Sequence, residues 1–193
     1  MLDVGSGSGY LVACLWKIVG PRGGEVVGLE KHAPLAARSL EALRRVVPEG
    51  VESGRVRVGA ANVLAEGALE ERGACDELLF GGKKRSGGGT GVSPSGPLPS
   101  SAAASASEKE KGGERKFDAI HVGAAAASLP RALVDALKPG GRMVIPLGPE
   151  GGDQVLSVVD KDPGGGPGFT KRDLLGVRFV PLTEPGKDRH GGL

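Results

Sequence analysis

Met1-Leu2-Asp3-Val4-Gly5-Ser6-Gly7-Ser8-Gly9-Tyr10, at the start of the chain, is the stretch that decides the fold. An apolar run leads into three glycines at alternate positions. Leu11, Val12, Leu15, Ile18 and Val19 then recur at helical spacing until Gly20-Pro21. A second apolar run, Val26-Val27-Gly28-Leu29, ends on Glu30, about 20 residues past the turn, where a carboxylate can accept both hydroxyls of a ribose. Strand, glycine turn, helix, strand and acid make the first half of an adenosine-binding crevice, the glycines letting the backbone pass close beneath the ligand with positive φ.

The spacing selects among adenosine cofactors. A dinucleotide fingerprint needs its third glycine where Tyr10 stands, which disfavours a nicotinamide enzyme. Gly5-x-Gly7-x-Gly9 preceded by the acidic Asp3 is the spacing commoner in methyltransferases that use S-adenosyl-L-methionine.

Further along, Pro34 suits the first turn of a second helix whose stripe is Ala36, Leu40, Leu43 and Val47, with Arg38, Arg44 and Arg45 on its solvated face. Trp16 and Cys14 read as packing residues and His32 as a surface residue. Strands are expected from Arg55 to about 59–62, over 117–123 and over 143–147. Between the last two, Ser128 and Pro130 predict a helix cap and first turn for a helix carrying Leu129, Leu133 and Leu137, ended by Lys138-Pro139-Gly140-Gly141. Apolar runs at 154–159 and 174–180, joined by a Pro-Gly loop, predict an antiparallel hairpin. The expected architecture is α/β: a doubly wound, Rossmann-like, mostly parallel sheet with an antiparallel C-terminal edge.

Composition narrows the function classes. The 193 residues suffice for one domain with a real core, and the expectation is a single domain over 1–193. Lys and Arg total 25 against 23 Asp and Glu, so charge demands no partner class. Aromatics are 3% and do not interleave with basic clusters, which argues against a nucleic-acid binder. Cys14 and Cys75 form no CxxC pair and no metal-ligand set, so neither a disulfide framework nor a metal site is expected and a reducing cytoplasm is the default. No run approaches the roughly 20 apolar residues of a membrane span, and no signal-peptide pattern opens the chain. Residues 81–116 carry Lys83-Lys84-Arg85, a Gly-Ser-Pro run and an Ala-Ser run; they read as a disordered insertion in a surface loop, with the basic cluster a solvated linker.

Several phrases together resemble one family, the protein-L-isoaspartate (D-aspartate) O-methyltransferases. They are Leu2-Asp3-Val4-Gly5-Ser6-Gly7-Ser8-Gly9-Tyr10-Leu11, Ser53-Gly54-Arg55-Val56, Phe117-Asp118-Ala119-Ile120-His121-Val122-Gly123-Ala124-Ala125, Leu137-Lys138-Pro139-Gly140-Gly141-Arg142, Pro146-Leu147-Gly148-Pro149 and Val180-Pro181-Leu182-Thr183. The phrases around His121 and Thr183 are the narrow ones. The resemblance implies methyl transfer from S-adenosyl-L-methionine to the free carboxyl of L-isoaspartyl and D-aspartyl residues in damaged proteins, by a monomer acting on isoaspartyl proteins and peptides. It places Asp3, Gly5, Ser6, Gly7 and Gly9 in the cofactor loop, Gly5 and Ser6 toward the methionine and ribose, and Glu30 and Lys31 at the ribose and adenine edge. Thr183 falls near the pocket.

Two departures stand out. Where the family has Gly-Asp-Gly, this chain has Ala61-Asn62-Val63, so Asn62 offers an amide oxygen in place of a carboxylate. The family's Ser-Ala-Pro-His segment, which covers the cofactor and grips the substrate carboxylate, precedes the first strand and is absent here. The chain thus reads as truncated, and its catalytic residues are unassigned. His121 stands at a strand's carboxyl end, where a ligand-facing and a structural role are both open. A small-molecule methyltransferase and an inactive, cofactor-binding relative are the alternatives.

Overall fold

The structure is a computed structural model that describes residues 1–65, 69 and 116–183; the expected insertion lies outside these apart from Lys116. Seven strands form one sheet: β1 (Leu2–Val4), β2 (Val26–Glu30), β3 (Val56–Ala60), β4 (Phe117–Val122), β5 (Leu137–Leu147), β6 (Gln154–Lys161) and β7 (Phe169–Val177). Their order is β3-β2-β1-β4-β5-β6-β7. The first five run parallel, with Asp3 registered between Gly28 and His121. Strands β6 and β7 are antiparallel, the C-terminal edge that the two late apolar runs imply. Chain direction across the sheet reverses between β1 and β4, which opens a crevice at the carboxyl ends of β1, β2 and β4.

Helices α1 (Tyr10–Val19), α2 (Ala33–Val46) and α3 (Pro48–Glu52) cover one face, and α4 (Arg131–Asp135) lies on the other. Val12 and Trp16 of α1 and Ala36 and Leu43 of α2 bury Val26, Val56 and Val58. Leu2, Val4, Val27, Leu29, Ile120, Met143 and Ile145 line the opposite face beneath Leu133 and Val134. β-Strand alternation puts Leu2 and Val4 in this second core and leaves Asp3 on the α1 side.

Three expectations are corrected. Ile18, expected in the apolar stripe, is 59% exposed. Val12 and Trp16, four apart, define the face that packs, and Ile18 points away from it. The helix after β4 begins at Arg131 with Pro130, not Ser128, at its N-cap, and it stops at Asp135. Leu137 pairs with Phe117 instead of extending that helix, and Lys138-Pro139-Gly140-Gly141 form an irregular stretch inside β5. Gly140 has φ 72°, and a Cβ on Gly141 would meet the Lys138 carbonyl at 2.9 Å, so the pair allows a sharp turn within the strand. A 3-10 turn, Gly20–Arg22, and the five-residue α3 had no counterpart among the elements expected from sequence.

Trp16 anchors α1 against α3. Its Nε1 donates to Glu49 Oε1 at 3.1 Å, and the Arg55 guanidinium sits 4.8 Å from the ring centroid while donating to the Gly20 and Gly24 carbonyls. A Cβ on Gly50 would lie 2.6 Å from Val56 Cγ2 and 2.7 Å from the Trp16 ring. Alanine ordinarily gains about 1 kcal/mol over glycine inside a helix. Here overpacking reverses the sign, so Gly50→Ala should lose about 1–3 kcal/mol in urea unfolding followed by Trp16 fluorescence. A variant as stable as the parent would contradict the packing.

Candidate functional site

The glycine turn is built from outside itself. Gly5, Gly7 and Gly9 have φ of 74°, 54° and 81°, left-handed values that an L side chain resists. Two backbone N–H groups, from Gly5 and Ser6, converge on the Leu29 carbonyl at 2.8 and 3.1 Å. The Gly7 N–H donates to Glu30 Oε2 and the His32 N–H to Glu30 Oε1, each at 3.0 Å. The Glu30 carboxylate, only 6% exposed, thus ties the turn after β1 to the turn after β2. Each of its oxygens keeps a second lone pair for an incoming hydroxyl.

These groups frame a cavity of about 280 Å³ at the carboxyl ends of β1, β2 and β4. Gly5, Gly7, Glu30, Lys31, Asn62 and Thr183 line it, so six of the nine cofactor candidates come together. Gly9 instead starts α1 and accommodates α2: a Cβ there would meet Leu43 Cδ1 at 3.1 Å. Ser6 is buried against Gly28, where an added Cβ would find the serine hydroxyl at 3.0 Å. Asp3 lies at 1% exposure below the turn.

Asp3 Oδ1 and His121 Nδ1 share a hydrogen bond of 2.7 Å. The other oxygen, Oδ2, has no hydrogen-bond partner among the described residues. The His121 ring packs 3.6 Å from the place of a Gly123 Cβ, and the Gly123 N–H donates to the Val4 carbonyl at 2.8 Å. His121 therefore serves a structural hydrogen bond on the face beneath the cavity.

Asn62 is engaged on both ends. Its Nδ2 donates to the Thr183 carbonyl and its Oδ1 accepts the Leu64 N–H, both at 3.0 Å. Lys31 Nζ donates to Thr183 Oγ1 at 2.7 Å. The loop after β4 holds the same segment, with the Ala125 N–H donating to the Val180 carbonyl at 2.8 Å and the Leu182 N–H to the Ala125 carbonyl at 2.7 Å. His32, read from sequence as a surface residue, is exposed yet lines the cavity beside Glu30. Leu35, Gly123, Ala124 and Val180 also line it, gathered from three segments with no common periodicity; Gly123, Ala124 and Val180 stood inside the family phrases, and Leu35 in none.

A second cavity, about 430 Å³, adjoins on the β4–β5 side, lined by Ala125, Ala126, Ala127, Ser128, Gly148 and Glu150 among others. Pro181, Leu182 and Thr183 line both cavities and so form a shared wall. Among the described residues no group of three or more His, Cys, Asp or Glu converges as a metal site, and no helix is long and apolar enough to cross a membrane.

A family model described as protein-L-isoaspartate(D-aspartate) O-methyltransferase (PCMT) matches residues 1–63 and 110–187. The wheat (Triticum aestivum) protein-L-isoaspartate O-methyltransferase is 37% identical over 182 residues, 94% of this chain and 58% of its own length. Protein-L-isoaspartate O-methyltransferase 1 of Arabidopsis thaliana is 36% identical over 95% of this chain and 59% of its own. The chain thus spans about three-fifths of the length of these curated relatives. Among solved structures, a beta-aspartate methyltransferase (PCMT) from Plasmodium falciparum, crystallised with S-adenosyl-L-homocysteine, superposes with a TM-score of 0.63 at 29% identity, covering 94% of this chain and 64% of that one.

The buried acid under the turn makes a separable forecast. His121→Phe strips Asp3 of its hydrogen bond, and the orphaned carboxylate should cost about 1–3 kcal/mol of unfolding free energy. Adding Asp3→Leu removes that charge and should recover part of the loss. A double variant less stable than His121→Phe in urea titration would contradict the pairing.

Proposed function

The chain belongs to the protein-L-isoaspartate(D-aspartate) O-methyltransferase family, and on that premise we propose that it transfers a methyl group from S-adenosyl-L-methionine to the free carboxyl of L-isoaspartyl and D-aspartyl residues, the first step in repair of damaged proteins. The observation that carries this reading is the Glu30 carboxylate, pinned by two backbone N–H groups at the rim of a glycine-floored cavity. It suits a ribose diol: two hydroxyl donors meet two anionic oxygens whose positions are already fixed. Side chains at Gly5 and Gly7 would be strained at their φ values, so the floor stays open to a ligand. Gly5, Gly7, Glu30, Lys31, Asn62 and Thr183 are proposed as the contacts of the donor, with Asp3, Ser6 and Gly9 supporting the turn from below.

When bound, S-adenosyl-L-methionine held by these residues would supply an electrophilic methyl on a sulfonium, the C–O bond to the acceptor carboxylate forming as the C–S bond breaks, with S-adenosyl-L-homocysteine the leaving group. A side-chain-like carboxyl ionises near pH 4, so the acceptor needs no general base at neutral pH. What the chain must supply is alignment, worth up to about 7–11 kcal/mol in favourable intramolecular analogues. Opposite charges also neutralise one another as the new bond forms, which favours a site shielded from water. The adjoining cavity, walled from the donor cavity by Pro181, Leu182 and Thr183, is the place where an acceptor carboxylate approaches. Its floor of Ala125, Ala126 and Ala127 leaves room for a polypeptide backbone beside the reacting group.

We read the protein as a cytoplasmic monomer with a single domain over 1–193. Two cysteines without a disulfide or metal pattern support the compartment, and the monomer is what the family resemblance implies.

Two measurements test this reading. Calorimetric titration with S-adenosyl-L-homocysteine should show saturable binding that Glu30→Ala weakens about 10- to 100-fold, the magnitude expected for lost charge-assisted hydrogen bonds. Incubation with labelled donor should place a base-labile methyl ester on an isoaspartyl peptide and none on its normal aspartyl isomer. Methylation confined to small metabolites would point to the small-molecule reading, and binding without turnover to the inactive, cofactor-binding one.

A further inference from the structure

Val180, Pro181, Leu182 and Thr183 form a strap across the carboxyl edge of the sheet. One end is stitched to the loop after β4 by the two backbone bonds between Ala125 and the strap. The other end, Thr183, is held from the far side of β1, its carbonyl by Asn62 after β3 and its hydroxyl by Lys31 after β2. With the order β3-β2-β1-β4, these anchors place the strap over the end of β1, where the glycine turn lies. Three strap residues also line the second cavity, so a displacement of Thr183 changes the walls of both.

The anchors differ in kind. Backbone bonds at Ala125 form a short parallel bridge that survives any side-chain change. The Lys31 bond runs from an ammonium on an exposed, flexible stem to a neutral hydroxyl, across 152 positions of sequence. Unlike the backbone bonds, it can be removed by changing one side chain.

We propose that Lys31 is a positioning residue that acts through Thr183: by holding the hydroxyl it keeps the strap closed over the donor cavity and couples occupancy of the two cavities. This rests on the methyl-transfer reading of the site and deepens it. Lysine at this position was expected at the adenine edge of the cofactor. The 2.7 Å bond gives it a second duty that does not require the ammonium to touch the ligand. Closing the strap excludes water from the donor and shapes the acceptor wall at once, so a ligand in one cavity favours the conformation that binds the other.

A double-mutant cycle tests the proposal. Lys31→Met keeps the stem and removes the ammonium; Thr183→Val keeps the shape and removes the hydroxyl. Each should weaken S-adenosyl-L-homocysteine binding about 3- to 10-fold by calorimetry, the range of one modest hydrogen bond. The double variant should bind no more than about twofold worse than the weaker single, because the same bond is lost once. Thr183→Ser should restore affinity. At saturating donor, the singles should raise KM for an isoaspartyl peptide with a smaller change in kcat. Multiplicative losses, or Thr183→Ser as weak as Thr183→Val, would overturn the proposal and leave Lys31 acting on the ligand alone, without coupling through Thr183. Should the parent bind no S-adenosyl-L-homocysteine, the methyl-transfer reading fails separately. The latch is then read by hydrogen exchange at the Leu182 amide, which both singles should accelerate equally; exchange unchanged in either would overturn it.

Discussion

One carboxylate organises the site. Glu30 is nearly buried at the end of β2, and each of its oxygens accepts a backbone N–H, one from the glycine turn and one from the start of α2. A buried carboxylate without such partners would be costly, so the turn and the helix start are held in place by the charge they neutralise. The left-handed glycines follow from this geometry. For Gly5 and Ser6 to share the Leu29 carbonyl while Gly7 reaches Glu30, the chain must reverse within three residues, and positive φ at Gly5 and Gly7 permits that. The same constraint leaves spare acceptor capacity facing a cavity, which turns a structural device into a binding one.

A second layer of organisation lies below and above this hub. Asp3, registered beside His121 in the sheet, joins β1 to β4 beneath the turn, and the Gly123 N–H joins them at the edge. Over the turn, the strap ending in Thr183 joins the β4 side to the ends of β2 and β3. The donor cavity is thereby enclosed by segments that are rigidly bonded on one side and held by side chains on the other. Such an arrangement suits the proposed methyl transfer, which would need an already ionised acceptor aligned and water excluded.

Much of this was legible in the chain. The glycine spacing and Glu30 predicted the strand, turn, helix and acid that the structure contains, because local sequence dictates each of them. The parallel order and the antiparallel finish followed from alternation of apolar runs with helical stripes. What failed was local competition. Leu137 fits a helical stripe with Leu133 as well as it fits a strand, and only its partner Phe117, 20 positions earlier in sequence, decides the matter. Lys138-Pro139-Gly140-Gly141 carries the composition of a helix stop and also that of a strand irregularity. Asn62 illustrates the limit at the site: its substitution for an acid was visible, and its bond to the Leu64 N–H is local, but its bond to Thr183 depends on a segment more than a hundred residues away. The Lys31 to Thr183 bond has no sequence signal at all.

A crystal structure of the chain with S-adenosyl-L-homocysteine is the most direct measurement of the central claim. Both ribose hydroxyls should lie within hydrogen-bond distance of the two Glu30 carboxylate oxygens, with the Gly7 and His32 amides still bound to that side chain. A ligand seated in the adjoining cavity alone, or a ribose with no contact to Glu30, would contradict the account.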